Sequence, residues 1–187
     1  MTKKTLDDRR QALEEIFFQK ENEKVLADLR AEREQKSHRE ALASVMAIGD
    51  TDVLDQLVSA GIRAETWLAI TLVPLIEVAW ADREMSADER VAILKAADEF
   101  GIDRDSDARR LIDSWLDHRP TSDVLAAWEA YIEAVYRVLG DAARGALRAQ
   151  TLDAARRVAE ATGGFLGIGN TVSEAEGKML DELARVF

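Results

Sequence analysis

The stretch EVAWADREMSADERVAILKAADEF, residues 77–100, decides the fold. Ser86 followed by Glu89 is the signature of a capping box, in which a hydroxyl and a carboxylate satisfy free amides at a helix start. Ile93, Ala97 and Phe100 then share one face of the helix so begun, and the apolar run closing at Val78, Ala79 and Ala81 ends the helix before it. The arrangement returns at the end of the chain. Val158, Ala159 and Ala161 answer Val78, Ala79 and Ala81, while Ser173, Glu176, Leu180, Ala184 and Phe187 repeat Ser86, Glu89, Ile93, Ala97 and Phe100 at identical spacing. Two helix–turn–helix units of this kind predict a single core packed about a pseudo-twofold axis.

Helical spacing extends outward from the repeat. Trp128, Tyr131, Ile132, Val135, Tyr136 and Leu139 follow i, i+3, i+4, i+7, i+8, i+11, and Leu111, Ile112, Trp115 and Leu116 form a shorter stripe. No useful length of chain alternates apolar and polar residues as a strand does. The expected fold class is all-α: a compact helical bundle with an internal pseudo-twofold repeat, preceded by a long charged helical arm. Helices are predicted near 5–21, 23–48, 52–60, 64–82, 87–100, 105–118, 122–139, 142–162 and 174–186, with Pro74 kinking the fourth. Asp50 or Thr51, Asp103 or Asp105, Thr121 or Ser122, and Asp141 stand ready as N-caps.

Residues 1–48 differ in kind from the helical domain expected over 49–187. From Lys20 to Glu40 the apolar content is Val25, Leu26 and Leu29 plus two alanines, and Arg30 with Glu34, Glu32 with Lys36, and Lys36 with Glu40 are opposite charges four apart. This is a solvated helix that lies on the body or reaches to a protein partner or a second copy of the chain. Leu13, Ile16, Phe17 and Phe18 are its expected apolar anchors.

Composition removes several function classes. The 187 residues contain no cysteine, which excludes disulfides, thiolate metal sites and a cysteine nucleophile and suits a cytoplasmic location. Two histidines, His38 and His118, leave little material for a histidine-based triad. No charge-free apolar run approaches membrane-span length, and the start MTKKTLDDRR has no apolar segment behind its basic residues, so neither membrane insertion nor a secretory signal is expected. Net charge is -11, and residues 1–40 carry 10 basic and 10 acidic side chains, so the whole excess lies beyond the arm. A negative body repels phosphate backbones, which argues against nucleic acid and for cations or basic proteins.

The runs around Ala81-Asp82-Arg83, Ser86 and Glu89, and around Ala161-Thr162-Gly163-Gly164-Phe165-Leu166-Gly167, Ser173 and Glu176, resemble the TerB-like family associated with tellurite resistance, over residues 64–187. That family shows A-D-G-x-x-S-x-x-E in one repeat and A-x-G-G-F-L-G before a second S-x-x-E. The resemblance implies an all-helical pseudo-symmetric fold, an acidic surface that binds divalent metal, a stress-response or scaffold role, and no known reaction. Arg83 stands where the family has glycine, which puts the tight turn and a cation site beside it in question.

The candidate metal ligands are Asp82, Glu84, Asp88 and Glu89, gathered within eight residues. Hard cations such as Ca²⁺ or Mg²⁺ take several oxygen ligands, and a turn between helices can converge carboxylates that a straight helix would fan apart. The same residues serve structure equally well, since Glu89 completes a capping box and Asp88 favours a helix N-terminus. The expected function is accordingly a non-enzymatic interaction protein, with a metal-binding sensor or metal-dependent enzyme as the alternative. Asp103, Asp105 and Asp107 fail as a calcium loop, having Ala108 and Ser114 where glycine and glutamate are needed. GGFLGIGN, residues 163–170, lacks the preceding strand, third glycine and lysine of nucleotide loops and reads as a connector or partner-facing patch. Trp67, Trp80, Trp115 and Trp128 all fall on predicted helices as core aromatics.

Overall fold

The computed structural model of the protein describes residues 2–46, 48–161 and 172–187, with side chains from residue 19 onward. The anchors expected at Leu13, Ile16, Phe17 and Phe18, and the connector 163–170, lie outside the described side chains and residues. The described chain is all-helical with no strand: α1 (Thr2–Met46), α2 (Thr51–Ser59), a 3-10 helix (Trp67–Leu72), α3 (Val73–Ala79), α4 (Ala87–Glu99), α5 (Asp107–Asp117), α6 (Ser122–Val138), α7 (Asp141–Ala159) and α8 (Glu174–Val186). No helix among the described residues is long and apolar enough to cross a membrane.

Three local readings are corrected. The helices expected at 5–21 and 23–48 are one, because no Gly or Pro interrupts residues 2–46 and the single Asn22 costs a helix only tenths of a kcal/mol, roughly. Pro74 does not kink a long helix. It stands in the first turn of α3, where its missing N–H has no carbonyl to reach, and the chain before it tightens into the 3-10 helix. Ser106, rather than Asp103 or Asp105, caps α5 by accepting from the Arg109 amide at 3.1 Å, and Gly140 holds the N-cap position before Asp141. Asp50 caps α2 as expected, accepting from Asp52 N at 3.1 Å.

Helix α3 is the centre of the bundle, with every residue from Val73 to Ala79 buried. It packs against α7, α8, α6 and the 3-10 helix, α4 lies against α7, and α2 lies against α6. The last turns of α1 dock on α2: Leu42 is fully buried, and both Asp55 carboxylate oxygens accept from Arg39 Nη1 at 3.0 and 2.8 Å. Helices α2 and α4 end in the same way, with Gly61 (φ 85°) and Gly101 (φ 74°) in the left-handed region and the following amides of Ile62 and Ile102 donating to Leu57 and Ala97 carbonyls.

The two units drawn from the sequence fall on matching elements. Helices α3 and α7 end at Ala79 and Ala159, both fully buried, while α4 and α8 each run 13 residues from a capping box to Phe100 and Phe187. Packing is reciprocal, α3 against α8 and α7 against α4. The copies differ in their cores, because Ile93 and Ala97 are buried while Leu180 and Ala184 are half-buried and Leu183 takes up the deep position. Phe187 meets Trp128 edge-on at 5.7 Å, tying the C-terminus to α6.

Candidate functional site

The acidic turn joins α3 to α4. Trp80 caps α3 and anchors the turn by donating its indole Nε1–H to the Trp115 carbonyl at 2.9 Å. Arg83 then takes φ 75°, and its amide donates to the Trp80 carbonyl at 3.0 Å, so the chain keeps a glycine-shaped turn with an arginine in it. The left-handed conformation costs a non-glycine residue on the order of 1 kcal/mol. Asp82 Oδ1 steadies the turn from inside by accepting from Glu84 N at 3.0 Å.

Of the four candidate ligands, Asp82, Glu84 and Asp88 are exposed and Glu89 is buried. Among the described residues no group of three or more Asp, Glu, His or Cys side chains is placed to hold a metal ion. The turn therefore does not gather its carboxylates around one point.

Glu89 instead faces inward. Ser86 Oγ accepts from Glu89 N at 3.1 Å, and Ser86 N donates to Glu89 Oε2 at 2.8 Å. At α8 the same exchange joins Ser173 and Glu176, at 3.2 and 2.6 Å. Both glutamates are 2% exposed, and their carboxyls hydrogen-bond each other. Burial, more than any other influence, raises the pKa of Glu89 above the ordinary carboxylate range; the bonds to Ser86 oppose this, and the neighbouring charge of Glu176 adds to it.

Glu77 is a third buried carboxylate. Glu77, the one charge of α3, accepts from Arg119 Nη2 at 2.8 Å. The pairing is not legible in the sequence, because the partner lies 42 residues away beside His118 and Pro120. The four tryptophans are core or half-buried core-packing residues.

No family model, curated protein or solved structure matches the chain. The likeness to TerB-like proteins thus rests on the motifs quoted above.

Proposed function

We propose that the protein is a non-enzymatic, TerB-like stress-response or scaffold protein, with an acidic body open to cations or proteins and an arm that carries self-association. The observation behind this reading is α1. At 1.5 Å per residue its 45 residues extend about 68 Å, yet among its described side chains, from residue 19 onward, it is those of the last turns that dock on the body. Residues 19–38 are exposed throughout, including Val25 (50%), Leu26 (53%) and Leu29 (46%). Three apolar side chains held in water on one helix are a cost that pairing removes.

A second copy suits the arm because residues 1–40 are charge-balanced, while the rest of the chain holds the entire net charge of -11. Two arms meet without net repulsion, and two bodies do not. Sedimentation of the full chain beside an arm variant tests the reading, an oligomer that the variant loses being the supporting result.

The alternative, a divalent-metal sensor or metal-dependent enzyme, draws on the exposed carboxylates Asp82, Glu84 and Asp88, the turn being kept by Arg83. It is the weaker reading because Glu89 is committed to Ser86 and Glu176.

A further inference from the structure

The exposed part of α1 is ordered along its length. Asn22, Val25, Leu29, Glu32 and Lys36 are spaced alternately three and four apart, the spacing of a seam between paired helices, with Leu26 beside it. All six side chains are exposed on the single chain. The seam is apolar at its middle and polar at both ends, so the direction in which a second arm runs along it decides which polar groups meet.

In a parallel pair each seam residue meets its own counterpart. Glu32 then faces Glu32 and Lys36 faces Lys36, two layers of like charge, and such juxtapositions oppose association. In an antiparallel pair crossing near Ala27, Val25 meets Leu29 of the other copy, and Asn22 meets Glu32, whose carboxylate accepts from the amide. Leu26 of each copy lies beside the crossing point and closes the apolar centre. The margins weigh the other way and weigh little: Asp28 reaches Arg33 in a parallel pair and its own counterpart in an antiparallel one, both in open solvent.

The bodies favour the same direction. Each carries the whole net charge of -11 and begins where Leu42 docks, so parallel arms bring the two bodies side by side. Leu42 lies 15 residues from Ala27. Crossing there sets the two Leu42 positions about 45 Å apart along the arms. Charges in physiological salt are screened over about 8 Å, so bodies held at opposite ends no longer repel.

We infer that α1 docks on α1 of a second copy in the antiparallel direction, with Val25, Leu26 and Leu29 as the shared centre and the two bodies at opposite ends. This rests on the self-association proposed above and adds its direction and its contacts.

The chain has no cysteine, so introduced thiols report without background. Nitroxides on Ser37→Cys should lie about 30 Å apart by pulsed electron resonance, because residue 37 of one copy faces residue 17 of the other. Parallel arms pack about 10 Å axis to axis and would hold the labels within about 20 Å. A disulfide needs Cα atoms within about 7 Å. Under mild oxidation Glu32→Cys alone should therefore give no linked dimer, while an equimolar, exchanged mixture of Asn22→Cys and Glu32→Cys chains should give one. All three positions are exposed, and sedimentation of each variant checks that it associates as the full chain does. Labels within about 20 Å, linking of Glu32→Cys with itself, or no linking in the mixture would each overturn the direction and leave association standing. A full chain that sediments as a monomer would remove both.

Discussion

Glu89, at the start of α4, and Glu176, at the start of α8, join carboxyl to carboxyl in the interior, each also closing the capping box of its own helix. The contact couples two helices that are 87 residues apart in the chain yet begin in the same way. The raised pKa of Glu89, caused first by burial, means that the folded protein holds this proton more tightly than the unfolded chain does. The stability this contributes is complete below the ordinary glutamate pKa and is lost as pH rises through the raised folded value.

Glutamine reproduces the protonated glutamate, its carbonyl accepting from Ser86 N and its amide donating to Glu176. Glu89→Gln should therefore melt above wild type by about 2–4 °C near pH 8 and together with it near pH 4. Thermal melts across that range check this, and parallel curves at all pH values would count against a raised Glu89 pKa in the folded state. Glu89→Ala, which loses the box, should cost about 1 kcal/mol or more at either pH.

Arg83 marks a second point of stored strain. Arg83→Gly should stabilise the protein by about 0.5–1 kcal/mol, the relief of a left-handed arginine exceeding the added freedom of the unfolded chain. Arg83→Ala keeps the strain and should change stability little. Urea denaturation of the three proteins gives the comparison, and equal stabilities for glycine and alanine would show the turn to be unstrained.

The Glu77–Arg119 pair joins a buried carboxylate to a guanidinium that remains 43% exposed. Arg119→Ala leaves Glu77 buried and unpaired, and the expected loss is about 3 kcal/mol. Adding Glu77→Leu should restore most of it, because an apolar side chain needs no partner there. A double variant no more stable than Arg119→Ala would place the lost energy elsewhere.

For the acidic turn, calorimetric titration of wild type and of Asp82→Ala with Glu84→Ala separates the two functional readings. With no three carboxylates converging, no saturable heat is expected from Ca²⁺, Mg²⁺, Mn²⁺ or Zn²⁺. A heat that wild type shows and the double variant lacks would favour the metal-dependent alternative.

What the sequence disclosed was local in origin. Ser86 with Glu89 and Ser173 with Glu176 are contacts three residues apart, written directly in the spacing, and the stripe from Trp128 to Leu139 follows from helical geometry. The inward setting of Glu89 was not legible because it depends on Glu176, a residue in the other half of the chain. Arg119 gave no local sign of its role, which lies in the buried Glu77 it pairs with 42 residues away. The continuity of α1 follows from the absence of Gly and Pro over residues 2–46, which the division at 21–23 did not weigh.

The central claim is that α1 serves association, and sedimentation equilibrium at micromolar concentration tests it most directly. The full chain is compared with Leu26→Glu/Leu29→Glu and with a chain beginning at His38, which keeps the docking residues Arg39 and Leu42. The account predicts an oligomer for the full chain and monomers for the other two, the double substitution leaving the helix content of the full chain unchanged. A full chain that sediments as a monomer, or an oligomer that survives both changes, would contradict it.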